Sequence, residues 1–501
     1  MFDGLLGNVL LGLSTAFEVS NLLYCLLGVA LGMFIGILPG IGALSAISLL
    51  FPLTFHMQPT EALIMLAGIF YGSSYGGSTS AILLNVPGGA SSAVTCLDGY
   101  PMSKQGRGGI ALLLTTVASF VAGSIGIVLM MLFSPLVVEM ALTFTSAEYF
   151  SLMVLGLVAA SMISDGSPVK SIAMVVLGVL LGLVGLDLYT GAQRFTFGTR
   201  ELYDGLSLVA LAMGLFGVAE IIASVKTGQA GRVQKVTLRS MIPTRDDIRR
   251  SVGPTLRGSA IGSFFGTLPG TGASIASFLS YAVEKRISKD PSRFGKGAVE
   301  GICAPEAANN AADQTAFIPT MTLGIPGSPT MALMFGVLLI HGIAPGPQLI
   351  SVHPDIFWGL VMSFWVGNLL LLVLNIPLIG VWVRMLQIPY HLLYPVILMF
   401  VCIGLYSVQT SAFEVWSVLI LGIVGYGMRA LAFPAAPLLL GFVLGPMVEE
   451  NFRRAMIVSS GRFEVFIERP VSGALLACTL AVLVWGFWSF FSARRRVAAA
   501  A

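Results

Sequence analysis

Long apolar runs alternate along the chain with short breaks rich in glycine and proline, and charged positions are confined to a few places between the runs. Many runs reach the roughly 20 residues that a membrane-crossing helix needs, and strand-like alternation is absent. The pattern predicts an all-α polytopic membrane protein. Residues 1–17 stop at Glu18, too early to span, and read as an interfacial helix. A helix over 20–37 carries Gly28, Gly32, Gly36 and Gly40 at four-residue spacing, a smooth face for close helix packing. Residues 41–55 follow a break. The next segment, 59–86, is predicted to be interrupted from Tyr71 to Ser80 and closed by Asn85-Val86-Pro87-Gly88-Gly89. So many small hydroxylated residues there, Ser78 and Thr79 among them, suit a polar cavity wall. Further helices are predicted near 108–135, 148–164, 168–187 and 202–225, then 354–386 with a kink at Asn375-Ile376-Pro377, 391–408, 412–430, 433–448 and 471–491.

One break occurs twice. Residues 30–46, ALGMFIGILPGIGALSA, and 260–276, AIGSFFGTLPGTGASIA, agree at ten of seventeen positions. Proline removes a backbone donor and glycine tolerates unusual dihedrals, so a Leu-Pro-Gly break frees amides and carbonyls that hydrocarbon cannot satisfy. Val86-Pro87-Gly88 aligns likewise with Ile325-Pro326-Gly327. The chain therefore divides into an interfacial helix (1–17), a first repeat (18–225), a basic loop (226–257), a second repeat (258–448), and a charged loop with last helix and tail (449–501).

Composition agrees with the pattern. Of 501 residues 56% are hydrophobic and only 10% charged, and mean hydropathy is +0.90, which no soluble globule could sustain. The net charge of +3 matters less than its placement: Lys and Arg are absent before Lys104, and thirteen of 27 lie between Lys226 and Lys296. Such a bias marks the cytoplasmic face and no nucleic-acid surface. With 226–257 inside, 256–283 has both ends inside and reads as a re-entrant hairpin, while the ends of the first hairpin fall outside. The two repeats are then inverted, the architecture of secondary transporters with broken helices at mid-membrane. The N-terminus is expected to be periplasmic and the C-terminus cytoplasmic.

Enzymatic motifs find no context. Gly72-Ser73-Ser74-Tyr75-Gly76 fits G-x-S-x-G, but a nucleophile elbow needs a strand-to-helix turn. Neither H-E-x-x-H nor a P-loop occurs. The four histidines are isolated, and the five cysteines lack paired or metal-ligand spacing. What remains suits a carboxylate and a cation. Helix starts after the breaks, at Pro39-Gly40-Ile41-Gly42, Pro269-Gly270-Thr271-Gly272 and Gly327-Ser328 with Thr330, offer amides and partial positive charge to an anion. Asn85 stands at the corresponding break of the first repeat. Asn309, Asn310 and Asp313 are hard oxygen donors of the kind that hold Na⁺. They also suit a hydrogen-bond network bracing a kink. Glu306, directly after Pro305, reads as a residue of a helix's first turn.

At these residues the sequence resembles the large membrane subunit (TctA-type) of the tripartite tricarboxylate transporter family. GILPGIGALSA, NVPGGASSAVTCLDGYPMSKQGRGG, GTLPGTGASIASFLSY, APEAANNAADQTAFIPTMTLGIPGSPT, LLIHGIAPGPQL and GPMVEENFRRAMIVSSG carry the likeness over nearly the whole chain, which departs from it at Asp313-Gln314, where small residues are expected. The resemblance implies a bacterial inner-membrane secondary transporter for organic di- or tricarboxylates, without a cofactor and coupled to Na⁺ or H⁺. It also implies a small four-helix membrane subunit and a periplasmic solute-binding protein as partners. An anion channel without ion coupling is the second expectation.

Overall fold

A computed structural model of the chain describes residues 2–38, 41–163, 167–187, 189–224, 236–268, 272–386, 394–395, 398–399, 401–403, 405–406 and 410–500. The first half comprises α1 (Phe2–Ala16), α2 (Val19–Ile37), α3 (Ala43–Leu50), α4 (Pro59–Leu84), α5 (Ala93–Met102), α6 (Gly108–Ala141), α7 (Ser146–Ile163), α8 (Pro168–Gly182), α9 (Leu208–Ala212) and α10 (Ala219–Ser224). The second comprises α11 (Arg245–Gly266), α12 (Gly272–Ile287), α13 (Glu300–Thr315), α14 (Phe317–Thr322), α15 (Pro329–Ile340), α16 (Pro347–Val352), α17 (Pro354–Asn375), α18 (Ile379–Met385), α19 (Ala412–Ala430), α20 (Ala435–Val458), α21 (Val465–Glu468) and α22 (Pro470–Ala500). Among the described residues five helices are long and apolar enough to cross a membrane: Val19–Ile37, Ala93–Ala141, Pro354–Asn375, Ala412–Ala430 and Pro470–Phe490. The fold is all-α among the described residues, with one antiparallel pair of two-residue strands, β1 (Gly185–Leu186) and β2 (Gln193–Arg194).

The glycine spacing explains how the helices pair. A Cβ on Gly28, Gly32 or Gly36 would collide with the carbonyls of Met65, Ile69 and Ser73 in turn, so α2 lies directly on the backbone of α4. Both numbers rise together, hence the two helices are parallel. Gly258, Gly262 and Gly266 of α11 meet the carbonyls of Ala304, Ala308 and Ala312 of α13 in the same way. Without a hydrophobic drive between helices in lipid, such contact rests on small residues and close van der Waals packing. Gly32→Ala should therefore destabilise the protein by about 1–3 kcal/mol, the usual range for overpacking. Gly4→Ala is the control, since nothing lies within 4 Å of a Cβ there. Equal melting midpoints for the two variants would show that Gly32 is not there for contact.

Several elements differ from expectation. The stretch Tyr71–Ser80 does not interrupt its helix. Thr79 and Ser80 donate back to the carbonyls of Tyr75 and Gly77 within α4, while Ser74 and Ser78, also in reach of the Phe70 and Ser74 carbonyls, face the second half of the chain. The helix expected over 168–187 ends at Gly182, and the strand pair follows it. Glu449, Glu450, Arg453 and Arg454 lie within α20, not in a loop, and form ion pairs one turn apart. The division at 448/449 thus crosses a helix. Arg194 and Arg453 both reach Asp187, tying the strand pair to α20. Helix α17 ends at Asn375, where the kink is expected. Half of 391–408 and residues 226–235 of the basic loop are outside the described residues.

A buried polar crossing between the halves

Helix α13 turns a polar face inward. Glu306, Asn310 and Asp313 are spaced by four and three residues, so they share one side of the helix. All three are buried, Glu306 at 1% exposure and Asp313 at 6%. Each meets side chains more than 190 positions away. Glu306 accepts from the hydroxyls of Ser78 (2.6 Å) and Thr95 (2.5 Å). Asn310 donates to Ser119 Oγ (2.7 Å) and to the Glu306 carbonyl (3.0 Å). Asp313 accepts from Ser74 Oγ (3.0 Å), and beside it Tyr71 donates to Gln314 Oε1 (2.8 Å). Among the described residues neither Glu306 nor Asp313 has a Lys, Arg or His partner. A charged carboxylate at membrane depth without a counter-ion is expensive.

The crossing has a definite sense. From Tyr71 through Ser74 to Ser78 along α4, the partners fall from Gln314 through Asp313 to Glu306 along α13. The two helices are antiparallel where they meet. Gly88 packs on Gly77 and Gly36 as Gly327 packs near Ala316 and Gly266. Every pair from α4 onward is offset by 239 positions, and the same offset relates Ser74 to Asp313. Two equivalent positions therefore touch each other. Helices α6 and α17 complete the surround: Asn368 donates to the Phe120 carbonyl (3.0 Å) and Ser124 Oγ (3.2 Å), and accepts from Tyr75 (3.2 Å). Asn309 is left over. The side-chain amide of Asn309, 2% exposed, has neither its oxygen nor its nitrogen bonded among the described residues.

A second region surrounds the breaks. Gly42 caps α3 and lies against Gly88 and Gly89. Gly272, with φ of 60°, opens α12. A cavity of about 430 Å³ opens there, between Ala90 and the α12 side chains Ser274, Ile275, Phe278 and Leu279. It lies between a loop of the first half and a helix of the second.

The residues expected to bind substrate are thus divided. Pro39, Gly40, Pro269, Gly270 and Thr271 lie outside the described residues. Gly42 and Gly272 are at the helix starts, and Ile41 is fully buried beside them. Ser78 faces Glu306 in the polar crossing, while the Thr79 hydroxyl donates to the Tyr75 carbonyl of its own helix. Asn85 is exposed and ends α4 in a left-handed conformation. Gly327 donates to Thr320 Oγ1 at 3.4 Å, and Ser328 caps α15 by accepting from the Met331 amide. The Gly327 amide is thus partly engaged already, whereas Ser328 uses its oxygen as an acceptor and keeps its hydroxyl proton to donate. Thr330 is buried in the first turn of α15.

Of the expected cation ligands, Asn310 and Asp313 join the network and Asn309 stands beside it without partners. Sequence reasoning undervalued Glu306. Helix α13 begins at Glu300, so Glu306 lies well inside it and not in its first turn. Its spacing from Asn310 and Asp313 was the legible signal. Nothing in the local sequence singles out Thr95 or Ser119 as their partners.

No solved structure matches the chain. It is 48% identical over 480 residues to an uncharacterized 52.8 kDa protein in the TAR-I ttuC' 3' region of Agrobacterium vitis, with 96% of each chain covered. It is 52% identical over 223 residues to an uncharacterized protein in the TAR-II ttuC' 3' region of the same organism, with 44% of this chain and 92% of that one covered. The model of the tripartite tricarboxylate transporter TctA family matches residues 22–440. With most of its length matched and its apolar helices built for a bilayer, the chain belongs to that family, as a multi-pass membrane component of a transporter and not an enzyme.

Proposed function

We propose that this subunit imports organic di- or tricarboxylates across the bacterial inner membrane by alternating access, coupled to Na⁺ or H⁺. The observation that carries the reading is the pair Glu306 and Asp313, two buried carboxylates with only hydroxyl partners. A cation or proton is what such a pair lacks. Hydroxyl and carboxylate oxygens are hard donors, suited to Na⁺, and the same carboxylates can carry H⁺. Asn309 adds an unbonded oxygen on the same helix. The carboxylate substrate binds near the breaks, where Gly42 and Gly272 begin α3 and α12 and the cavity at Ala90 and Ser274 opens. Substrate is delivered by a periplasmic binding protein, and a small four-helix subunit completes the assembly.

The halves act as inverted repeats, each with a re-entrant hairpin. In support, Ser74 and Asp313 are equivalent positions that meet across antiparallel helices, as residues beside a two-fold axis in the membrane plane would. The basic face supports the orientation, with the N-terminus periplasmic and the C-terminus cytoplasmic: Arg107 pairs with Asp247 at the start of α11, and Gln105 donates to the Lys296 carbonyl. These contacts gather the first positive charges of the chain with the basic stretches flanking α11 and α12.

Uptake by vesicles containing the chain and its co-purifying partners, scanned over carboxylates with and without Na⁺ and a pH gradient, tests the reading. Accumulation against the substrate gradient is expected. Flux that only dissipates the gradient would mean an uncoupled anion channel. Topology is tested separately by single cysteines at Ser20 and Ser288 in a version without native cysteines. An impermeant thiol reagent should label Ser20→Cys from the periplasm and Ser288→Cys from the cytoplasm. Labelling from one common side would rule out inverted repeats.

A further inference from the structure

Away from the polar crossing, a cavity of about 820 Å³ lies between α11, the end of α12 and the turn Pro291–Arg293. Arg249, Arg250, Arg257, Lys289 and Arg293 line it, and basic side chains outnumber the acidic ones. Three of the five are occupied. Arg257 grips Glu284 with two hydrogen bonds (2.6 and 2.9 Å), Arg250 pairs with Asp246, and Arg293 lies 3.9 Å from Glu300. Among the described residues Arg249 and Lys289 have no acidic partner.

The next face of α11 is apolar and bare. Ile248, Val252 and Leu256 are spaced by four residues, and each is about half exposed, as is Ile287 at the cavity wall. Stripe and cavity span the same turns of α11 on neighbouring faces, and together they match one chemistry: a phosphate held on the basic face, with acyl chains beside it on the apolar one. We propose that this cavity binds the headgroup of an anionic phospholipid, with Arg249 and Lys289 holding the phosphate and the acyl chains lying along Ile248, Val252 and Leu256. Basic cavities between helices at the membrane surface hold anionic headgroups by this means. The paired arginines shape the cavity, and the two unpaired side chains supply the charge.

Native mass spectrometry of the purified full chain, titrated with dioleoylphosphatidylglycerol, tests the assignment. The unaltered chain should retain the lipid. The double variant Arg249→Gln/Lys289→Gln should bind it roughly tenfold or more weakly, because each basic residue near a membrane surface adds appreciable attraction to anionic lipid. Arg462→Gln, which removes an exposed charge elsewhere, should leave binding unchanged. Equal retention by the double variant, equal loss in Arg462→Gln, or equal binding of dioleoylphosphatidylcholine would overturn the site. Displacement of the lipid by glycerol phosphate at matched concentration would assign the cavity to a soluble anion and end the lipid proposal. Monodisperse elution of each variant confirms that a loss of binding is not a loss of fold.

Discussion

Glu306→Gln should give a folded protein whose carboxylate uptake no longer responds to the driving cation. The substitution keeps shape and keeps a partner for each hydroxyl: Ser78 and Thr95 now donate to a carboxylate, and each can rotate to accept from the new amide instead. Only the charge is removed. The interaction lost with a cation at membrane depth is of the order of the 2.5–3.5 kcal/mol that an unpaired charge costs there. Coupled uptake should therefore fall by about 100-fold, a tenfold change being about 1.4 kcal/mol. Asp313→Asn, removing the second charge, should shift the Na⁺ or pH dependence in the same direction. Wild-type uptake with an unaltered ion dependence in Glu306→Gln would make the buried carboxylate a structural element and remove it from coupling.

The second large effect is on folding. Asp98 in α5 is fully buried and accepts four hydrogen bonds from the second half: Oδ1 from the amides of Gly295 (2.9 Å), Gly297 (2.8 Å) and Ala298 (2.7 Å), and Oδ2 from the Tyr281 hydroxyl (3.0 Å). Gly301 gives it room, since a Cβ there would strike the carboxylate. One side chain thus anchors the segment that leads into α13, and with it the placing of Glu306 and Asp313. Asp98→Ala strands three amides. At about 1.5–3 kcal/mol for each bond to a charged group, the loss should exceed roughly 4 kcal/mol and leave little monodisperse protein. Asp98→Asn retains an acceptor for the amides and forfeits mainly the charge, so about 1–2 kcal/mol is expected. Comparable melting midpoints and yields for the alanine and asparagine variants would show that the amides find other partners and that Asp98 is no anchor.

Much of the architecture was legible before any coordinates. Helical class followed from hydropathy alone, because a bilayer leaves backbone polar groups no partner except within the helix. The duplicated Leu-Pro-Gly-x-Gly break announced two related halves, and the glycines before it announced close packing. Errors arose where polarity was read as irregularity. Ser and Thr from Ser73 to Ser80 suggested a broken helix, yet the hydroxyls of Ser74, Ser78, Thr79 and Ser80 all lie in reach of carbonyls of the preceding turn and α4 continues. The charges at 449–454 suggested a loop, yet ion pairs one turn apart are at home on a helix.

By itself the sequence carried, in a spacing that was not read for Glu306, the shared helix face of Glu306, Asn310 and Asp313, and it matched Gly32 and Gly36 with Gly262 and Gly266. Only the tertiary structure decided that the first face meets Ser74, Ser78, Thr95 and Ser119, and that the equivalent positions Ser74 and Asp313 touch. Periodicity specifies which side chains lie together on one helix, because 3.6 residues complete a turn. Which faces oppose one another depends on where two helices cross: the glycines set the pairing within each half, α2 on α4 and α11 on α13, while α4 meets α13 through side chains 228 to 243 positions apart in the chain.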